Sequence, residues 1–584
     1  MRGSRATFAF LLLSFAGFVL LPGCRDGRGP EAGRGPAAAP PPSLPSAQRP
    51  LPFGAIRFSG DYGTRFAAAT AHILTRTDLY TLDSFVAATA GRPGSLWWDW
   101  PGDQLGRWLS VGRVARGYGW TGEAWPPRVL LEAVLPYQTE AGHFGPAASA
   151  ADVRLLSGNA FALRGLMDAY ADTGDARFLD SARRLGRFFE RIAPDWETRR
   201  DGLLHEFYGH CLDGLVALYL RAGDRWALDA AERLAAHAGR TPHTHHSLSL
   251  MRGLVDLAGA TGRSEYLDRV EDYLAWCRAS RSVTGGLPEA MPVSEQDEGC
   301  GLADWVVVNM MMAGATCQAR YVDDAERTLV NHLFFNQFHT GGFGHLSFGQ
   351  TVVGGKRWQG WDGRFGSENP GCCSLWGMWA LGEAGRYAVT ARDGTVFLNL
   401  YAEADVALPE QGARLVVRSD FPRMSEVRLR IECPEPRDFT LALRVPAWAE
   451  AAEVWCGGER VTKPATGRRV LISRTWAGRT DVDIDFKAGL RLEPWPPEGP
   501  LGVGVFDGPL CLGFPATAGD VEAPWAVLVD RSGRPLLDVA GRPQAIDPSM
   551  RALVPLEPVS SGWLLPDAVD PVEWRILFAT KKGL

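Results

Sequence analysis

Cysteine is scarce, with ten in 584 residues. Apart from Cys24 near the N-terminus they stand at 211, 277, 300, 317, 372, 373, 433, 456 and 511, an odd, scattered set that excludes a fully paired disulfide framework. Basic blocks are missing and the formal net charge is −6, which argues against nucleic acid as a partner. The apolar run from Ala9 to Leu21 is too short for an ordinary membrane span. What the chain does have is enough length for large cores, and 21 tryptophans suited to core packing and to stacking on sugar rings.

The N-terminus combines a basic start, Met1-Arg2-Gly3-Ser4-Arg5, with that short apolar run and then Leu21-Pro22-Gly23-Cys24. This pattern predicts a secretory signal over 1–24 with a lipobox, in which Cys24 carries a lipid anchor; plain secretion is the alternative. Either way the expected location is outside the cytoplasm: periplasmic, extracellular or lipid-anchored at the cell envelope. Residues 25–52 are rich in Pro, Ala, Gly and Arg, as in an extended linker.

Two periodicities divide the rest. Residues 53–388 form the expected helical domain: from about 60 apolar residues recur at three and four, as in Phe178, Leu179, Ala182, Leu185, Phe188, Phe189 and Ile192, which predicts amphipathic helices. A motif repeats within this stretch: Thr173-Gly174-Asp175-Ala176-Arg177-Phe178, Ala222-Gly223-Asp224-Arg225-Trp226, Thr261-Gly262-Arg263-Ser264-Glu265-Tyr266, and a degenerate copy ending at Tyr321. The interval is that of a helical hairpin, a glycine closing one helix and an aromatic opening the next. Six such hairpins close as an (α/α)6 toroid. From 389 to 584 the period becomes two, in short runs such as Val396 to Tyr401 and Val482 to Phe486, which predicts one or two β-sandwich modules.

The chemistry centres on Cys372-Cys373, adjacent thiols that cannot easily bond to each other, and on Glu298-Gly299-Cys300. Both pairs lie at expected helix N-termini, where partial positive charge favours thiolate and carboxylate. Together Glu298, Cys300, Cys372 and Cys373 form a candidate tetrahedral zinc site; buried free thiols, or a disulfide from Cys300 to one of the pair, are the other readings. Histidines gather in His205-Glu206-Phe207-Tyr208-Gly209-His210 and in His243-Thr244-His245-His246, again at helix starts. Trp97-Trp98-Asp99-Trp100 offers aromatic faces beside a carboxylate, and Gly142-His143-Phe144-Gly145 is a weaker loop of the same type.

Taken in order, Glu289-Ala290, Glu298-Gly299-Cys300, the run Tyr321 to Leu333, Cys372-Cys373 and the run Phe439 to Ala449 resemble the β-L-arabinofuranosidase family, glycoside hydrolase family 127. The similarity spans about 60 to 520. It implies an (α/α)6 barrel with β-sandwich domains and a retaining glycosidase whose zinc-bound cysteine attacks the anomeric carbon. Motif by motif, Cys372 matches the nucleophile, Glu298, Cys300 and Cys373 the other zinc ligands, and Glu289 the general acid/base. His210 and His246 match sugar-binding residues, with Glu206 and Tyr208 beside them. Ser374-Leu375-Trp376 departs from the family's usual Pro-Pro-Asn or Thr-Gly-Asn, a change expected at the sugar-binding end. The resulting expectation is an exported, zinc-dependent glycoside hydrolase releasing β-L-arabinofuranose or a related sugar from glycans. The alternatives are a polysaccharide lyase or sugar epimerase on the same toroid, or a non-catalytic glycan-binding protein with structural zinc. No motif speaks to oligomeric state.

Overall fold

A computed structural model describes residues 44, 47–94, 97–146, 152–198, 210–237, 239, 241–294, 296–353, 356–424, 426–462, 469–495, 502–516, 526–546, 553–558, 573–575 and 577–582. Thirteen α-helices fall among them. In chain order they are α1 Gly60–Leu74, α2 Leu82–Thr89, α3 Asp103–Gly117, α4 Pro127–Val134, α5 Val153–Thr173, α6 Ala176–Thr198 and α7 Leu212–Ala222. Then come α8 Arg225–His237, α9 Thr244–Thr261, α10 Glu265–Ser280, α11 Gly299–Thr316, α12 Ala319–Thr328 and α13 Cys373–Arg386. Among the described residues no helix is long and apolar enough to cross a membrane.

Helices α3, α5, α7, α9, α11 and α13 pack neighbour to neighbour, and α13 returns to α3, closing a ring. Outside them lie α4, α6, α8, α10 and α12, each against the inner helix before it, with α1 against α13. This is the expected (α/α)6 toroid. The inner position explains α11, whose residues from Gly299 to Ala315 are all buried: a helix apolar on every side is stable only when surrounded. The repeat sets the turns. Gly174, Gly223 and Gly262 close α5, α7 and α9 at φ of 66°, 73° and 73°, a left-handed conformation that costs glycine little. In the degenerate copy Cys317 takes that place at φ 62°. Because each outer helix carries the chain back, all six inner helices point the same way and present their N-termini at one mouth.

The β-rich half forms two sheets. Its longest strands, Val427–Arg444 and Arg469–Lys487, pair antiparallel over most of their length, with buried and exposed residues alternating. Three segments expected in the linker or in the 53–388 helical domain belong to these sheets instead. Arg49–Pro50 pairs with Val389–Arg392, and Ile56–Phe58 with Ala404–Leu408. The hairpin Gly344–Val353 and Lys356–Glu368 joins the second sheet through Glu573–Arg575. Strands of two or three residues carry no readable period, and the hairpin is broken by glycines.

Helices and first sheet meet at Arg444, which is 0% exposed. Its Nη1 lies 2.5 Å from Asp323, its Nη2 pairs with Glu326, and its Nε donates to the Asn399 carbonyl at 2.7 Å. Trp448 Nε1 donates to Glu326 at 2.8 Å. Asn331, two turns on from Asp323, grips the second sheet: its side chain donates to the Pro509 carbonyl and accepts from the Cys511 amide.

Candidate active site

At the mouth formed by the inner N-termini, Glu298 caps α11, Cys300 lies in its first turn, and Cys372 and Cys373 open α13. Their donor atoms all lie within 4.8 Å of one another. Cys300 Sγ and Cys372 Sγ are each 3.9 Å from Cys373 Sγ, and Cys372 Sγ is 3.3 Å from Glu298 Oε1. The three are free thiols. Cys300 and Cys373 are fully buried, whereas Cys372 is 5% and Glu298 8% exposed, so those two residues lie nearest to solvent.

Gly299 permits this packing. A Cβ there would come within 2.9 Å of both Cys373 Cβ and the Gly344 carbonyl, neither of which can yield cheaply. Gly299→Ala is therefore expected to spread the cluster, lowering stability by about 1–3 kcal/mol, the range for overpacked cores, and reducing activity. Thermal unfolding and turnover measured side by side would check it; a variant unchanged in both would show that the cluster tolerates spreading.

The donor set fits a thiophilic dication. An ion about 2.3 Å from each sulfur in a tetrahedron places the sulfurs about 3.8 Å apart, close to the spacing found. Glu298 Oε2 is buried without a hydrogen-bond partner. Burial, reinforced by Cys372, pushes the Glu298 carboxyl well up, and burial likewise raises the Cys300 thiol. Only Cys373 of the three thiols is lowered, to about 6; burial opposes this, but hydrogen bonds from Cys300 and Cys372 outweigh it. A pocket that resists more than one negative charge is one in which a bound cation would be strongly compensated.

Around the cluster stand residues that the sequence reading missed. Arg107 is buried, hydrogen-bonded through Nε to Asp103 at 2.9 Å, with Nη1 3.6 Å from Cys300 Sγ and its guanidinium over the Phe161 ring. Its only sequence signal is the i, i+4 spacing from Asp103. His345, on the hairpin strand, donates from Nδ1 to the Asp297 carbonyl at 2.8 Å, leaving Nε2 3.7 Å from Cys373. His332 Nε2 is 2.6 Å from Asp297, anchoring the residue before Glu298. Tyr80 and Gln104 donate to the Pro370 and Gly371 carbonyls, pinning the approach to Cys372.

Glu289 lies beside the cluster. Its carboxylate accepts from Gln296 Nε2 at 2.7 Å, and its carbonyl accepts from the Thr244 amide at the start of α9. Its nearest donor atom lies within 4.8 Å of those of Glu298 and His243. His210 and His246 are also present, their rings 4.4 Å apart, and His243 stacks on His246 at 3.9 Å. Burial lowers the pKa of both His210 and His246 well below the usual imidazole value, so they are neutral hydrogen-bonding groups at neutral pH. His245 has a different role: Nδ1 bonds Asp304 at 2.6 Å and Nε2 takes Arg107 Nη2 at 3.1 Å, so both ring nitrogens are committed to the scaffold. Glu206 and Tyr208 lie outside the described residues.

Trp97, at φ 56°, lies directly against Gly371, and Trp100 is 6.0 Å from it and 6.4 Å from His246. The tryptophan loop thus borders the cleft. The Gly142–Gly145 loop is instead a packed corner, with His143 against Phe188 and Asn159 bonding Phe144. Ser374-Leu375-Trp376 needs correction: all three are buried, with Ser374 bonded to Phe343 and Trp376 donating to Asp304 and stacked on Trp379. Those side chains form part of the barrel wall beneath the cluster and do not offer a sugar-facing surface.

Comparison with known proteins completes the picture. The catalytic-domain model of the β-L-arabinofuranosidase family, GH127, matches residues 159–346, and the GH127 middle-domain model matches 395–488. The fold is similar to that of a GH127 β-arabinofuranosidase, at 18% identity over 92% of this chain and 98% of that one, TM-score 0.70. It is also similar to a GH127 β-L-arabinofuranosidase from Geobacillus stearothermophilus T6, at 14% identity over 90% and 100%, TM-score 0.68. No curated protein sequence matches the chain. The barrel with its two matched domains is that of a glycoside hydrolase. Over those residues the chain carries the catalytic and middle domains of family GH127.

Proposed function

We propose that this glycoside hydrolase releases β-L-arabinofuranose or a closely related sugar from glycans with retention, using Cys372 as nucleophile and Glu289 as acid/base. The observation that carries the reading is the convergence of Glu298, Cys300, Cys372 and Cys373 within 4.8 Å, with Glu289 beside Glu298. Zinc, held by those four residues, would keep the Cys372 sulfur ionised near neutral pH. In the first step the Cys372 sulfur forms a bond to the anomeric carbon as the bond to the aglycone oxygen breaks, and Glu289 gives that oxygen its proton. In the second, Glu289 takes a proton from water, whose oxygen displaces the sulfur and frees the sugar. His210 and His246, kept neutral by burial, bond sugar hydroxyls, and the Trp97 loop supplies an apolar wall.

The Met1–Cys24 pattern supports export with or without a lipid on Cys24, and intact-mass analysis of mature protein would distinguish the two. The function is tested on purified protein by metal content together with hydrolysis of 4-nitrophenyl β-L-arabinofuranoside. About one zinc per chain and release of arabinose with retained configuration are expected. Inversion, or full turnover by metal-free protein, would refute the mechanism.

A further inference from the structure

A groove of ≈ 1000 Å³ lies on the exposed face of the first sheet, away from the barrel's catalytic residues in its lining. Antiparallel register builds it. Arg418 stands opposite Arg428, Arg428 opposite Asp483, and Asp483 opposite Trp455, so one transverse row crosses four strands. The residues between them in sequence, among them Leu429, Val482 and Val454, are buried, which turns this row outward.

A solvated face of this kind is ordinarily an ion-pair ladder, and the neighbouring pair behaves so: Arg430 Nε donates to Asp481 at 2.9 Å. The row through Asp483 does not. Arg428 turns to Glu426, 3.3 Å away, and among the described residues Asp483 has no hydrogen bond or ion pair. Trp455 beside it is half-buried, and no described ring or guanidinium stacks on it. An open carboxylate next to an open indole face is a complementary pair for a sugar ring. Adjacent hydroxyls donate to the two carboxylate oxygens, and the ring's C–H face covers the aromatic. The lining holds three arginines and four carboxylates, close to neutral, which disfavours a polyanionic or polycationic ligand.

We propose that this face binds a neutral oligosaccharide segment, holding the polymeric part of a glycan apart from the sugar that enters the barrel. The proposal rests on the chain acting on glycans and not on which sugar it releases. The test uses full-length protein, with affinity electrophoresis and calorimetry against soluble arabinan, galactan and xylan, polygalacturonate as the charged control, and the aryl arabinofuranoside as small substrate. Trp455→Ala and Asp483→Ala are each expected to weaken binding of at least one neutral polymer by tenfold or more, leaving small-substrate kcat/KM within about twofold of wild type. Unchanged polymer affinity in both variants, no neutral polymer bound by wild type, or preference for polygalacturonate would overturn it. Loss of aryl-arabinofuranoside turnover in wild type, with Trp455-dependent polymer binding intact, would sink the proposed substrate and leave the groove standing.

Discussion

Cys372→Ala is expected to lower turnover of an aryl arabinofuranoside by about 10³-fold or more, since removal of a covalent nucleophile ends the two-step route. The fold should survive. Cys372 sits at the N-cap of α13, where its main chain follows Pro370 and Gly371, held by Tyr80 and Gln104. Glu298, Cys300 and Cys373 remain, so metal content is expected to fall only in part, which separates loss of the attacking sulfur from loss of the site. Cys372→Ser sharpens the result: it restores a ligand atom and the volume but not a sulfur nucleophile, and should stay nearly as inactive. Wild-type rates in the alanine variant would end the cysteine mechanism, and activity in the serine variant alone would reassign Cys372 to a holding role.

Arg444→Ala should destabilise the chain by about 3–5 kcal/mol, the cost of leaving buried carboxylates without their cation. Here two are stranded, Glu326 at 1% exposure and Asp323 beside it, together with the Asn399 carbonyl. A lowered unfolding temperature at fixed scan rate would register the change. Combining Arg444→Met with Glu326→Gln is expected to recover part of the loss, because the second change removes the unpaired charge. Equal stability of wild type and Arg444→Ala would mean that the joint contributes nothing, and full additivity in the double variant would mean that the two residues are not coupled.

The legible parts of this protein were those in which one residue type can do the job. Gly174, Gly223 and Gly262 mark turns because a left-handed residue is cheap only as glycine, and they reported the hairpin repeat directly. Adjacent cysteines reported a centre because thiols have few other uses in such company. Arg107 and His345 were hidden because arginine and histidine serve many purposes, and only three-dimensional closure of the ring brings them to the sulfurs. Ser374-Leu375-Trp376 misled for a related reason: proximity in sequence to Cys373 says nothing about direction, and on a helix start the next three side chains turn into the wall. The runs Tyr321–Leu333 and Phe439–Ala449 carried resemblance without a role until Arg444 joined them.

The single direction of the six inner helices also sorts charge along the barrel axis. One mouth collects the amide ends of the helices and, with them, the thiols and carboxylates of the cleft. The other collects carbonyl ends, and toward it Arg113, Arg164, Arg221, Arg252 and Arg386 line a cavity of ≈ 190 Å³ together with Asp213, Asp256 and Glu383. Arg164 ties Asp168 to Asp213, and Arg252 ties Asp213 to Asp304, so these guanidiniums lace the inner helices together. The toroid is therefore a cup whose rim gathers thiols and carboxylates that a cation would stabilise, and whose far end is tied together by arginine–carboxylate pairs.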